Sequence, residues 1–481
     1  MFATSAGVLV LEILAGRLLA PYVGVTLETY TGIIGTVLAG IALGSWWGGR
    51  LADRLDPRTL LGPTIAVGGL LALACLPIVR FFGPALASRE PVAIVTLAFL
   101  GFFAPATVLS GVTPMVVKVQ LNSLRVTGRT VGRLSAIGTV GALFGTFVTG
   151  FVLLAAFPTP PIIVAVGVVL VGGGVGLWGW LPRADGVSQP PVVAGAVALV
   201  ALGLLIGTPC ERETAYFCAS VVQDPERDSG RLLILDTLRH SYVDLEDPTY
   251  LEFDYARALV DVIDAQNPPP QPLDVLHIGG GGFTLPRYIA ATRPGSTSVV
   301  LELDPELVSV AREELDLRTS SQLEVRTGDA RLGIRQMPSD SQDVVIGDAF
   351  GGLAVPWHLT TAEFLAEVKR VLRPGGIYVL NLIDHPPSAF ARAETATLAA
   401  AFPQTAVIAP PARVARTAGG NFVLAGGPLE VARIQEHLEA RDATDVVAAG
   451  AERERFTGDA PVLTDDYAPV DQLLEPRPTS G

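Results

Sequence analysis

At 481 residues the chain is too long for one ordinary domain, and with 49% hydrophobic residues and a mean hydropathy of +0.46 it is too apolar to be soluble throughout. Charge is uneven: up to Cys210, eleven Lys and Arg outnumber six Asp and Glu, giving that half +5 and the rest −18 against an overall −13. Such an acidic second half repels phosphate backbones, which argues against nucleic acid as a partner and suits a cationic small molecule.

Seven apolar runs, each near the roughly 20 residues that cross a bilayer, occupy residues 2–20, 29–48, 59–80, 92–117, 131–156, 160–181 and 191–208. Glu12 and Arg17 interrupt the first run and no basic leader precedes it, so it reads as a spanning helix rather than a cleaved signal. The same two residues are expected either to pair inside the membrane or to line a transport path. Residues 1–208 are thus a multi-pass transmembrane helical region in a cell membrane. Arg50, Arg54 and Arg58 in the second connection, and Lys118, Arg125, Arg129 and Arg133 in the fourth, place both on the cytoplasmic side. A seventh spanning helix would deliver the remaining domain outside, where Cys210 and Cys218 could form a disulfide or stand as two separate thiols. Gly138, Gly141, Gly145 and Thr149 recur at helical spacing, as a close helix–helix contact requires.

Residues 209–230 read as a linker and 231–268 as a small subdomain: a hairpin from 231–236 and 240–245, then a helix over 250–263. Pro268, Pro269, Pro270 and Pro272 end that helix. From 269 to 481 strand and helix alternate, with strands at 275–278, 299–303, 323–326, 341–347 and 377–382 and helices at 285–291, 305–315 and 361–372. This order predicts an α/β Rossmann-like, methyltransferase-type domain with a doubly wound, mainly parallel sheet.

Between the first two strands, Gly279, Gly280, Gly281 and Gly282 remove every Cβ where the chain turns into a helix, and Glu302 follows about 20 residues later, where a carboxylate receives ribose hydroxyls. Ligands of such sheets lie beyond the carboxyl ends of the strands, which selects Glu302, Asp329 with Ala330, and Asp348. Phe350 and Trp357 could stack on a ligand or pack in the core. His240, His277 and His358 lack metal-ligand spacing, so no metal is expected. Asp465, Asp466 and Asp471 form an acidic C-terminal cluster.

The motifs LEILAGRLLAPYVG, GIALGSWWGGRLADR, IGGGGFTLPR, LELD, GDAR, GDAFGG and LTDDYAPVD, in this order, resemble the spermidine synthase-like family, in its bacterial branch fused to a membrane-helix region. The segment GGRLADR is also similar to a loop of major-facilitator transporters. The family resemblance implies transfer of an aminopropyl group from decarboxylated S-adenosylmethionine to putrescine or another amine. It puts Asp348 at the catalytic aspartate, Glu302 at the ribose ligand, Asp329 and Ala330 at the adenine contacts, and Tyr255 at the tyrosine lining the amine tunnel. His240 stands where the family has a glutamine, and Asp465 is a candidate replacement for missing substrate carboxylates. The chain departs from the family where an aspartate of the glycine turn is Gly282, where a second aspartate is Gly351, and where a Gln-Glu or His-Glu pair is Ala256-Arg257. Two other functions are compatible: methyl transfer from S-adenosylmethionine itself, or a catalytically degenerate nucleoside-binding domain in a membrane transport or assembly protein. Expected partners are a small-molecule amine, the lipid bilayer and a second copy of the chain. The helix count puts the domain outside, whereas supply of the donor puts it in the cytoplasm.

Overall fold

The computed structural model describes residues 1–88, 90–121, 127–181, 192–208, 210–351 and 354–474. The chain forms two compact units, Met1–Ser220 with Leu235–Thr237, and Val221–Ile234 with the chain from Leu238 on.

In the first unit, six helices among the described residues are long and apolar enough to cross a membrane: Phe2–Val23, Leu27–Arg54, Pro57–Phe82, Pro91–Gln120, Thr127–Ala156 and Thr159–Trp180. The expected seventh is helical over Val192–Leu205, 14 residues. Residues 182–191, which precede it, lie outside the described residues. Small residues set the helix packing: a Cβ on Gly141 would lie 2.4 Å from the Phe2 carbonyl oxygen, and one on Gly145 2.6 Å from that of Ala6. The expected Glu12–Arg17 pair does not form. Arg17 Nε instead lies 3.3 Å from Glu213 Oε1 and its Nη1 donates to the Ala215 carbonyl at 2.6 Å. Cys210 and Cys218 are disulfide-bonded, their Cα atoms 5.2 Å apart.

The expected linker is folded. Its described residues carry strands β1 (Arg212–Glu213) and β2 (Cys218–Asp224) and the start of β3 (Arg227–Leu235), which with β4 (Leu238–Asp244) make a four-stranded sheet in that order rather than a single hairpin.

The second unit is built on an eight-stranded sheet of β5 (Asp274–Ile278), β6 (Thr297–Glu302), β7 (Leu323–Thr327), β8 (Gln342–Gly347), β9 (Leu372–Asp384), β10 (Thr405–Ala409), β11 (Gly420–Gly426) and β12 (Val446–Ala449), in the order β12-β10-β11-β9-β8-β5-β6-β7. Strands β9-β8-β5-β6-β7 are parallel, as the strand–helix alternation predicts. The far edge is not: β11 runs antiparallel to β9, and β10 antiparallel to both β11 and β12. The sheet is therefore mixed, and the doubly wound expectation holds only for its parallel part. Residues 373–376, between the expected helix 361–372 and strand 377–382, are absorbed into β9 as an irregularity, since the register with β8 jumps from Gln342↔Leu372 to Val344↔Ile377.

Period-two alternation divides the core. Leu276, Ile278, Val345, Tyr378 and Leu380 face the helices Ala362–Val371 and Ala389–Ala401. Val275, Val344, Ile346 and Val379 face Asp254–Gln266 and Val431–Ala440 on the opposite side. Burying both faces fixes the register, and with it the positions of the strand ends.

Candidate active site

The glycine turn follows β5. Gly279 and Gly281 have φ of 93° and 50°, conformations a side chain disfavours. Because β5 lies between β6 and β8, the turn meets residues from both neighbours. A Cβ on Gly279 would sit 2.4 Å from the Asp348 carbonyl oxygen, and Asp348 N donates to Ile278 O at 2.9 Å, so the turn and Asp348 are locked together.

Glu302 ends β6 and is 6% exposed. Its Oε2 accepts from Gly280 N at 2.7 Å and Gly281 N at 3.3 Å, and its Oε1 from Asp304 N at 2.9 Å. Burial raises its pKa above the usual carboxylate value, opposed by those three amides. Three donors fill three of a carboxylate's roughly four acceptor positions, leaving capacity for a hydroxyl.

The missing turn aspartate has a steric explanation. A Cβ on Gly282 would lie 2.8 Å from Ser241 Cβ and 3.1 Å from Val243 Cγ2, so β4 occupies the space such a side chain needs. The next residue, Phe283, takes the left-handed conformation at φ 59° and buries its ring completely, packing with Val243, Val300 and Val308.

Asp348 follows β8 and lines a cavity of about 410 Å³ together with His240, Phe253, Tyr255, Phe350, Asn381 and Asn421. Its Oδ1 accepts from Asn381 Nδ2 at 2.9 Å and its Oδ2 from the Tyr255 hydroxyl at 3.4 Å. Asn381 in turn accepts, through Oδ1, from Asn421 Nδ2 at 2.9 Å, a diagonal pair across the antiparallel β9–β11 ladder. Burial lifts the Asp348 carboxyl to about 6, against the two donated hydrogen bonds that favour its charged form. The Tyr255 hydroxyl is pushed well above its ordinary value by burial and by the neighbouring Asp348. His240 is lowered to about 4 by burial and is neutral at neutral pH. Ser241 Oγ accepts from Gly282 N at 3.0 Å and is hydrogen-bonded to His240 Nδ1 at 3.0 Å. A smaller pocket of about 30 Å³ adjoins on the turn side, lined by Gly279, Gly280 and His277 and sharing Phe253, Tyr255 and Asp348 with the larger one.

Other expected site residues lie apart. Asp329 caps the helix Ala330–Ile334 by accepting from Arg331 N at 2.7 Å, with His358 Nε2 3.4 Å away, while Ala330 is buried in the core. Neither lines the two pockets. Asp465 also stands outside them: it accepts from Arg331 Nη2 at 2.6 Å and from the Thr361 hydroxyl at 2.7 Å, pinning the C-terminal segment. Arg257, in the Ala256-Arg257 pair that departs from the family, donates Nη2 to the Glu252 carbonyl at 2.9 Å, and its Nη1 lies 2.9 Å from Asp254. Asn381, Asn421 and Arg413 were missed. The sequence signal was an asparagine breaking each of the apolar runs IYVLNLID and GNFVLAG.

Among the described residues no group of three or more His, Cys, Asp or Glu side chains is arranged to hold a metal. The fold and the turn define a methyltransferase-type α/β domain, and a methyltransferase domain family matches residues 276–380. The polyamine aminopropyltransferase of Vibrio vulnificus is 34% identical over 129 residues, covering 25% of this chain and 43% of that protein. That of Chromobacterium violaceum is 31% identical over 142 residues, 29% and 53% of the two lengths. The chain thus spans about half the length of these curated relatives. An "eEF1A lysine and N-terminal methyltransferase" of Danio rerio is 30% identical over 25% of this chain and 19% of that protein. The crystal structure of a probable spermidine synthase from Corynebacterium glutamicum aligns at 30% identity with a TM-score of 0.50, over 53% of this chain and 95% of that one. The chain belongs to the spermidine synthase-like family.

Proposed function

We propose that the chain is a membrane-bound transferase that moves an aminopropyl group from decarboxylated S-adenosylmethionine to the nitrogen of an amine. The observation that carries this reading is Asp348, a buried carboxyl lifted to about 6 and held by Asn381 and Tyr255 in a cavity against the glycine turn. The nucleoside, when bound, supplies an electrophilic carbon next to its sulfonium. Gly279 and Gly280 let it approach the backbone, and Glu302 takes a ribose hydroxyl. Asp348, ionised above about pH 6, takes the proton that an ammonium must lose before its nitrogen can attack. Tyr255 and Asn381 fix the carboxylate, and Phe253 and Phe350 keep the reacting groups out of water. Purified protein given decarboxylated S-adenosylmethionine and an amine panel is expected to release methylthioadenosine. Nucleoside binding with no release would remove the aminopropyl step.

One observation favours a second reading, methyl transfer from S-adenosylmethionine: the all-glycine turn has no carboxylate for an aminopropyl ammonium, and β4 fills the place where one would sit. S-adenosylhomocysteine as sole product would establish it. We read the six long apolar helices and the apolar helix Val192–Leu205 after them as membrane spans, and the Cys210–Cys218 disulfide as a sign that its segment faces an oxidising compartment. Labelling of these two thiols in intact cells only after external reduction is expected; labelling without reduction would contradict it.

A further inference from the structure

Granted a transfer to an acceptor in the cavity beside Asp348, the charges lining that cavity bear on what the acceptor is. Five acidic or guanidinium side chains line it: Asp254, Asp348, Asp445, Arg239 and Arg413. Three are already balanced. Asp254 Oδ1 lies 2.9 Å from Arg257 Nη1, Asp445 Oδ2 3.6 Å from Arg441 Nη2, and Arg239 Nη2 3.9 Å from Glu252 Oε1.

One carboxylate and one guanidinium make hydrogen bonds to neutral groups only, the charge of Arg413 being felt by Asp445 without a bond between them. Asp348 accepts from Asn381 and Tyr255. Arg413 donates Nε to the Gly419 carbonyl at 3.0 Å and Nη1 to the Asn421 carbonyl at 2.9 Å, and its Nη2 has no hydrogen-bond partner among the described residues. One chain of bonds ties the two charges together: Arg413 to the Asn421 carbonyl, the Asn421 side chain to Asn381, and Asn381 to Asp348.

A diamine presents an ammonium at each end, and a guanidinium with no hydrogen-bonded carboxylate in the same cavity repels the far one. A ligand with one charge of each sign meets no such repulsion, and the planar guanidinium fork matches a carboxylate. We propose that the acceptor is an ω-amino acid, its ammonium received by Asp348 and its carboxylate by Arg413. The ammonium gives a proton to Asp348; the freed nitrogen pair forms the new bond to the carbon beside the sulfonium. The carbon–sulfur bond breaks with its electrons going to sulfur, giving methylthioadenosine and a secondary ammonium.

The test is calorimetric titration of the detergent-purified full chain with putrescine, 4-aminobutanoate and 5-aminopentanoate, with and without methylthioadenosine. At least one amino acid is expected to bind about tenfold or more tighter than putrescine. Arg413→Gln is expected to lose that preference and leave putrescine unchanged or tighter, and Arg413→Lys to recover part of it. Tighter binding of putrescine than of both amino acids, or equal weakening of all three ligands in Arg413→Gln with no recovery in Arg413→Lys, would overturn the assignment. Absence of methylthioadenosine binding counts against the transferase reading alone, because the acceptor preference is read in its absence too.

Discussion

Residues 274–302 assemble the glycine turn and Glu302 from consecutive elements, whereas Asp348, Tyr255, Asn381, Asn421 and Arg413 reach one cavity from β8, β9, β11 and two separate helices. The first region is a local motif whose geometry follows from turn conformation and from the pairing of adjacent parallel strands. The second depends on an antiparallel β11 laid beside β9, a pairing across some forty residues. On the proposed function, nucleoside recognition is tied to the fold itself, while acceptor recognition rests on a handful of long-range side-chain contacts that can change without disturbing the sheet.

Substitutions that strike one region and spare the other break or sharpen this division. The largest expected effect is Asp348→Asn, which should lower transfer by roughly a thousandfold by removing the base, with nucleoside affinity held within about threefold by calorimetry. The intact enzyme should show the matching pH profile. Burial raises the Asp348 value, so its base form is lost as pH falls, and the rate should climb with pH through about 6. Glu302→Gln should do the reverse, weakening nucleoside binding by about 10- to 100-fold while leaving acceptor affinity unchanged. Next comes Gly282→Asp, which restores the family aspartate where Ser241 and Val243 stand in the way. It should cost about 1–3 kcal/mol in denaturant unfolding without improving affinity for the decarboxylated donor. The smallest is Asn381→Ala. Loss of its hydrogen bond should move the pH limb upward and lower the rate at neutral pH by about three- to tenfold, the rate at high pH recovering.

The same division marks what could be read from the chain. The strand–turn–helix–strand of the nucleoside side was legible because apolar runs, four glycines and Glu302 are contiguous, and the parallel strands lie where the pattern puts them. The position of Asp348 beside the turn also followed, since strand ends converge in this sheet type. The antiparallel edge was not legible: β10 to β12 are short and their pairing is set by burial against helices distant in sequence. For that reason Asn381, Asn421 and Arg413 went unassigned. Asp465 was misjudged for a related reason, because its partners Arg331 and Thr361 lie more than a hundred residues away.

The central claim, that this glycine-turn domain transfers an aminopropyl group with Asp348 as the base, is tested most directly by a single-turnover product analysis. Detergent-purified native and Asp348→Asn proteins would be mixed with decarboxylated S-adenosylmethionine and each of the three acceptor probes, and the nucleoside products separated. Methylthioadenosine and an aminopropylated acceptor are expected from the native protein alone, with both proteins binding the donor. Native protein that binds the donor yet yields no methylthioadenosine with any of the probes, or Asp348→Asn protein that yields as much as native, would contradict it.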